Sequence, residues 1–201
     1  MKKLHRTRPA TGITGILLIY LLLQGCSITN RIYTDNDVVT SSKRFELRYA
    51  FKDFDRRSPL LDFTQSLIKE INPENEVTYT AYDVLSLSAS SFRLDKKAVF
   101  IIDNEVYPMS LEQMELENAR DISETTSNIL TSDSTTVSVI TGYSEDNMKI
   151  TRLSYRIPAA TMEKIRSSDN LILRYYSGPS MITVKPRNKS IRKLKQLIDM
   201  T

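Results

Sequence analysis

Apolar positions after residue 43 recur with a spacing that changes along the chain, and these changes predict strands and helices in turn. From residue 45 to 51 every second residue is aromatic or aliphatic, which is typical of a half-buried strand. From residue 60 to 71 the apolar residues fall at helical spacing, and Ser58-Pro59 in front of them is a common helix start. The pattern therefore predicts a strand followed by a helix that Pro73 ends.

The rest of the chain predicts short strands and few helices. Strands are expected at 77–82, 85–90, 98–102, 106–107, 136–143, 148–157, 171–175 and 181–185. Helices are expected at 110–120, after Pro158 and after a cap at Ser190, with a hairpin turn at 144–147 and a long loop at 121–135. The predicted fold class is α+β: an antiparallel sheet with two or three helices packed on one face, in a single domain over 43–201.

The first 26 residues have the pattern of an export signal. Residues 1–8 are basic, residues 13–23 are mostly apolar, and Leu23-Gln24-Gly25-Cys26 follows. The apolar run is shorter than the roughly 20 residues that a membrane-spanning helix needs. Leu23-Gln24-Gly25-Cys26 resembles the lipobox of bacterial lipoproteins. The resemblance implies that residues 1–25 are a signal peptide and that Cys26 is lipidated, carrying a diacylglycerol thioether and fatty acyl groups such as palmitate.

Lipid on Cys26 would hold the mature protein on a membrane. Each buried methylene contributes about 0.8 kcal/mol, so two or three acyl chains anchor firmly. By resemblance to Gram-negative lipoproteins, Ser27 favours the outer membrane, with the protein facing the periplasm. Residues 26–42 are polar and without period, so we expect a flexible tether there. Fully extended, residues 27–42 span at most about 50 Å, which would let the domain stand away from the membrane.

Composition removes several classes of function from consideration. The chain has 28 basic and 24 acidic side chains, but four of the basic ones lie in the signal peptide, so the mature chain is close to neutral. A nucleic-acid binder usually has a strong basic excess, and we therefore expect no nucleic-acid partner. The single histidine, His5, also lies in the signal peptide, and Cys26 is the only cysteine. A Ser-His-Asp or Cys-His system is thus impossible, and neither a metal nor a cofactor is expected.

Two glycines, Gly142 and Gly178, remain in the mature chain, too few for a phosphate-binding loop. Two motifs of enzymes occur nevertheless. Ser66 and Lys69 fit S-x-x-K, and Ser168-Asp169-Asn170 fits S-D-N, which is similar to penicillin-binding proteins and class A β-lactamases. The third motif of those enzymes, K-T-G, is absent, and the mature chain is too short for their fold. We therefore interpret both matches as coincidences.

Charged and aromatic residues provide the other candidates. Asp53 and Asp55 stand beside Arg56 and Arg57, and we expect a solvated turn there. Tyrosines in strand patterns suit the edges of a core: Tyr49, Tyr79, Tyr107, Tyr155 and Tyr175. Acidic residues dominate 110–135, namely Glu112, Glu115, Glu117, Asp121, Glu124 and Asp133 against Arg120. Residues 185–195 contain six cations and no acid: Lys185, Arg187, Lys189, Arg192, Lys193 and Lys195.

This basic run has several possible contacts: anionic lipid headgroups, an acidic partner, or the acidic segment of the same chain. A solvated helix face is the ordinary alternative.

Three functions follow as hypotheses. The first is a lipid-anchored, non-catalytic module that binds another envelope component, foremost a protein. One form of it is an inhibitor or immunity protein against an envelope toxin. The second is a carboxylate-based hydrolase of cell-wall glycans, which requires two acids facing each other in a cleft. The third is a carrier of a small ligand or lipid, which requires an apolar cavity.

Overall fold

The computed structural model describes residues 30–52, 57–130, 132 and 135–201, which form ten strands and two helices. The strands are β1 (Arg31–Asp37), β2 (Ser42–Phe51), β3 (Leu60–Ile71), β4 (Val77–Ser88), β5 (Leu94–Ile102), β6 (Glu105–Met109), β7 (Leu111–Leu130), β8 (Thr136–Arg156), β9 (Leu171–Ser177) and β10 (Ser180–Val184). The helices are α1 (Ala159–Ser167) and α2 (Asn188–Asp199).

The strands form two antiparallel sheets. The larger sheet has the order β1-β2-β3-β4-β8-β7, and the smaller one has the order β10-β9-β5-β6. Aromatic side chains from the two sheets meet between them: the rings of Phe63 and Tyr175 lie 5.9 Å apart, and those of Phe100 and Tyr155 lie 6.0 Å apart. The predicted α+β class is therefore wrong. The described part of the chain is mostly β, with two layers of sheet and only two short helices.

Strand β3 replaces the helix that was predicted over 60–71. Its inward residues alternate, and they include Gln65 and Lys69 among apolar neighbours. These two polar residues interrupt the apolar alternation, so the sequence favoured the helical spacing. The neighbouring strand shows the same effect, because buried Asp83 divides β4 into the two shorter strands that were predicted. Polar residues at inward positions thus account for both errors.

The two helices cover one end of the larger sheet. Helix α2 packs against β1 and β2, and α1 packs against α2 and β4. The buried side of α2 is formed by Ser190, Ile191, Leu194, Leu197 and Ile198. The Nζ of Lys69 donates hydrogen bonds of 2.6 Å to the backbone oxygens of Ile198 and Met200. Because the last carbonyls of a helix lack partners within it, this buried lysine stabilises the end of α2 on the sheet.

Strands β7 and β8 form a long hairpin. The strands predicted at 136–143 and 148–157 are confirmed as parts of the single strand β8, whereas β7 lies where other elements were expected. The predicted helix over 110–120 and loop over 121–135 are mostly strand β7, and the predicted turn over 144–147 lies within β8. The two strands pair from Leu111 and Tyr155 to Leu130 and Thr136. Pairing between strands therefore overrides the local preference of Ser, Asp and Asn for turns.

The segment predicted as a tether is partly folded. Residues Arg31–Asp37 form β1, which pairs with β2 along its whole length. A side-chain oxygen of Asp37 accepts a hydrogen bond of 2.8 Å from the backbone N–H of Val39 at the turn between the strands. Strand β1 has few apolar residues, so its pairing, rather than a hydrophobic pattern, places it in the sheet.

Several predictions are confirmed. A strand occupies 45–51 as part of β2, β5 contains 98–102, β9 contains 171–175, and α1 follows Pro158. The predicted capping role of Ser190 is wrong, because α2 begins at Asn188 and Ser190 is buried in its first turn. Within the described residues, neither helix has the length and apolar character needed to cross a membrane.

Gly178, in the turn between β9 and β10, provides a test of the sandwich. Its φ angle is +57°, and a Cβ there would lie 2.6 Å from Cγ of Phe92. We expect Gly178→Ala to lower the free energy of unfolding by about 1–3 kcal/mol, because it adds backbone strain and a clash. Urea unfolding measures the change.

Gly142→Ala is the matched control. Gly142 lies within β8, and a Cβ there would have Cβ of Thr125 as its nearest neighbour at 4.0 Å. Alanine is therefore accommodated, and the free energy of unfolding should change by less than about 0.5 kcal/mol. Equal destabilisation by the two variants would contradict the described turn.

Candidate functional site

Asp83 is the most unusual titratable residue in the described part of the chain. It lies in the middle of β4, its side chain points between the sheets, and it is completely buried. The pairing register places Tyr49, Gln65 and Asp83 side by side on β2, β3 and β4. A buried acid is a common mark of an active site, so its surroundings decide what it can do.

Uncharged donors surround the carboxylate of Asp83. The hydroxyls of Tyr155 and Tyr175 each donate a hydrogen bond of 2.6 Å to Oδ2. Nε2 of Gln65 donates to Oδ1 at 2.6 Å, and Oε1 of Gln65 accepts a hydrogen bond of 2.6 Å from the hydroxyl of Tyr49. Because Tyr175 belongs to the smaller sheet and the other residues to the larger, this cluster joins the two layers.

Burial raises the pKa of Asp83 to about 6, against the three hydrogen bonds that lower it. Burial, followed by the nearby charge of Asp83, also raises the pKa of each of the three tyrosines, so they stay protonated and can donate. A substrate has no access to this completely enclosed carboxylate. We therefore interpret the cluster of Tyr49, Gln65, Asp83, Tyr155 and Tyr175 as structural rather than catalytic.

The most accessible candidate is the outer part of the β7–β8 hairpin. Strand β4 pairs with β8 only as far as Met148. Beyond it, residues 120–130 of β7 and 136–147 of β8 pair with each other alone, and we call this part the arm. At about 3.4 Å per residue the arm extends about 35 Å past the sheet. Arg120 and Glu145 form an ion pair of 2.6 Å across its base.

One face of the arm continues the inward face of the larger sheet. Met114 lies on that face of β7 and packs against the core, and alternate residues toward the tip share its side. On the arm, the smaller sheet no longer covers this face. Four large apolar side chains are consequently exposed on it: Ile122 by 53%, Leu130 by 69%, Ile140 by 47% and Tyr143 by 69%.

Sequence patterns predicted one strand of the arm, 136–143 within β8, but missed its pairing with residues 120–130 of β7. The apolar residues of its exposed face alternate with serine, threonine and glutamate, and acidic and turn-forming residues lie between them. Enrichment in Thr, Ile and Val on both sides of residue 131 was the available signal for a hairpin.

The six cations of the basic run lie in different surroundings. Lys185 follows β10, whereas Arg187, Lys189 and Arg192 are exposed around the first turns of α2, and we call these three residues the α2 basic face. Lys193 donates a hydrogen bond of 2.9 Å to Oε1 of Gln196. Lys195 forms an ion pair of 2.6 Å with Asp169.

The acidic segment has other partners than this basic run. Glu117 forms an ion pair of 2.7 Å with Arg152, and Glu112 one of 3.0 Å with Arg156, both across to β8. Pairing within the hairpin thus brings the acids of β7 to arginines of β8. None of these ion pairs joins the acidic segment to the α2 basic face.

The two enzyme-like motifs are separated by the fold. Ser66 accepts a hydrogen bond of 3.0 Å from Nε of Arg48 on the outer face of β3, whereas Lys69 points inward to α2. Ser168 donates a hydrogen bond of 2.7 Å to Asp103 in a turn. Neither arrangement provides an activated nucleophile. Asp53 and Asp55 lie outside the described residues. Among the described residues, no group of three or more potential ligands is placed to hold a metal ion.

The space between the sheets is filled by side chains such as Tyr49, Phe63, Leu85, Tyr155 and Tyr175, all buried. This part of the fold therefore gives a lipid or ligand carrier no support. The outer face of the smaller sheet is a second accessible apolar surface, where Val106 is 64% exposed and Met181 is 55% exposed.

Asp83→Asn is expected to change how stability depends on pH. The pKa of Asp83 is raised in the folded protein from 3.8 to about 6, so the folded state binds the proton more tightly. The resulting stabilisation is complete below pH 3.8 and is lost as the pH rises through 6. Relative to the native chain, the variant should gain about 2 kcal/mol in free energy of unfolding between pH 4 and pH 8, measured by urea unfolding.

Asp169→Asn is the control with the opposite sign. The hydrogen bond and charge of Lys195 lower the pKa of this exposed carboxyl. Its contribution to the stability of the folded protein is therefore present above pH 3.8 and is lost in acid. The variant should therefore lose a little stability at pH 8 and none at low pH. If the free energy of unfolding of the native chain and of Asp83→Asn changed with pH in parallel, Asp83 would not be buried as described.

Comparison with models of protein families, with curated proteins and with solved structures gives no match to this chain. The function is therefore inferred from the residues and the geometry above.

Proposed function

We propose that the chain is a lipid-anchored, non-catalytic module of the bacterial envelope that binds another envelope protein through its arm. The anchor is supported by the basic start, the apolar run and Leu23-Gln24-Gly25-Cys26. The binding role is supported by one observation above all: the inward face of the larger sheet continues onto the arm without a covering layer, leaving Ile122, Leu130, Ile140 and Tyr143 exposed.

An isolated two-stranded ribbon gains little stability in water, because both faces and both edges remain solvated. The arm has this geometry from residue 120 to the tip. A partner that covers its apolar face would bury large side chains of the kind that dominate binding energy, with Tyr143 foremost. The outer edge of β7 is also unpaired and can accept a further strand.

A protein partner fits this surface better than a small molecule. The four apolar residues are spread along an extended ribbon rather than gathered in a concave pocket, and small ligands require concave sites. Extended apolar surfaces with polar surroundings are typical of contacts between proteins.

Site-specific photo-crosslinking in the native host tests the arm. A photoreactive residue at Ile140 or Tyr143 should form a crosslink to one and the same envelope protein, because these side chains face the partner. The matched position is Val106, which is equally exposed but lies on the smaller sheet. A crosslink from Val106 with none from the arm would assign binding to the other apolar surface.

Affinity measurements with that purified protein provide the quantitative test. Tyr143→Ala should weaken binding on the order of 30-fold, as expected for a central aromatic contact. Ser144→Ala, on the opposite face of β8, should change binding little. Replacing residues 120–147 with an Asn-Gly turn should abolish binding and leave the sandwich folded, because the arm pairs only with itself. Full affinity without the arm would contradict the proposal.

A further inference from the structure

The described part of the chain begins at Asn30, which lies beside the start of α2. We call the two sheets and the two helices, without the arm, the body. Oδ1 of Asn30 accepts a hydrogen bond of 2.5 Å from the hydroxyl of Ser190, which is buried in the first turn of that helix. The backbone N–H of Asn30 donates one of 2.7 Å to the oxygen of Arg48 on β2. These two contacts fix Asn30 against both the helix and the sheet.

Cys26 can lie only a short distance from this point. Even fully extended, the chain from Cys26 to Asn30 spans at most about 14 Å, compared with the roughly 50 Å expected for a tether over 27–42. The difference arises because β1 begins at Arg31 and is paired with β2. Acyl chains on Cys26 would therefore hold the first turn of α2 close to the membrane surface.

The surface around the first turn of α2 is positively charged. Arg187, Lys189 and Arg192 are exposed, and the first turn of α2 contains no acid. Cations at the amino-terminal end of a helix oppose the helix dipole, so the stability of α2 does not explain them. Exposed cations interact favourably with anionic headgroups when they lie within a screening length, about 8 Å at physiological salt.

We propose that the α2 basic face rests on the anionic lipid headgroups of the membrane that holds Cys26. The proposal rests on the lipidation of Cys26 and adds an orientation to it. The short distance from Cys26 to Asn30 brings the α2 basic face near the membrane. The positive charge of this face is complementary to the negative charge of the headgroups. This contact with lipid gives the body one orientation relative to the membrane, which the anchor alone would not define.

The test uses the full chain, processed in a lipoprotein-exporting host, purified from membranes and inserted into preformed vesicles. Because the thioether blocks the sulfur of Cys26, the only cysteine of the chain, a newly introduced cysteine is the only labelling site. A fluorophore is placed at Gln196→Cys, one turn beyond Arg192 on the exposed side of α2, or at Glu124→Cys on the arm as the matched position. Lipids with a quencher in the headgroup report proximity.

Quenching at Gln196→Cys should be strong in vesicles of phosphatidylcholine with phosphatidylglycerol. It should be weaker in phosphatidylcholine alone, and should be lost in about 1 M salt, where the screening length is about 3 Å. Each cation near an anionic surface contributes on the order of fivefold. Loss of three such contributions lowers the ratio of docked to undocked protein about 100-fold. Arg187→Glu, Lys189→Glu and Arg192→Glu together also add repulsion from the anionic surface, so this variant should lower the ratio by at least about 100-fold.

The matched control reverses three other exposed cations, which lie around the start of β5: Arg93, Lys96 and Lys97. Their replacement by glutamate changes the net charge by the same amount as reversal of the α2 basic face, but should leave quenching unchanged. Quenching that is equal in the two vesicle types, or that occurs at Glu124→Cys instead of Gln196→Cys, would overturn the orientation. The mass of the mature protein separates the two proposals, because a free thiol at Cys26 would remove the anchor as well.

Discussion

The body of this protein depends on how the carboxylate of Asp83 is accommodated between two sheets. A buried charge without donors would cost several kcal/mol, and here three side chains supply them. Since Tyr175 comes from the smaller sheet and Tyr155 from the larger, the cluster fixes the layers in one relative position as well as satisfying the acid. Apolar packing alone would hold the layers together with less specificity, because hydrophobic contacts have no direction.

The sequence predicted those elements whose apolar residues keep one period, and failed where polar residues face inward. Strands β2, β5 and β9 and helix α1 were predicted because most of their buried side chains are apolar. Gln65, Lys69 and Asp83 broke the period of β3 and β4, and their partners lie far away in the sequence. Strand β1 and the β7 half of the arm lack a strong apolar period, so only pairing defines them. The basic run was found from composition, but its position beside Asn30 required the fold.

The two proposed surfaces lie at opposite edges of the larger sheet. Strand β1, which follows the segment proposed to be lipidated, forms one edge, and β7, which carries the arm, forms the other. Four strands lie between them. Neighbouring strands are about 4.8 Å apart, so β1 and β7 are about 24 Å apart. The proposed anchor at one edge would therefore leave the arm away from the lipid, where the proposed protein partner would have access to it.

The order in which the partners of Asp83 occur along the chain has a consequence for biogenesis. Tyr155 and Tyr175 follow Asp83 by 72 and 92 residues. A polypeptide that crosses the inner membrane amino terminus first exposes Asp83 well before either hydroxyl has emerged. Until then hydration is the better environment for this acid, and the sandwich cannot close over it. For a chain exported and lipidated as proposed, closure of the sandwich would therefore be postponed until nearly the whole chain has been translocated, after Cys26 has become available to the lipidating enzymes.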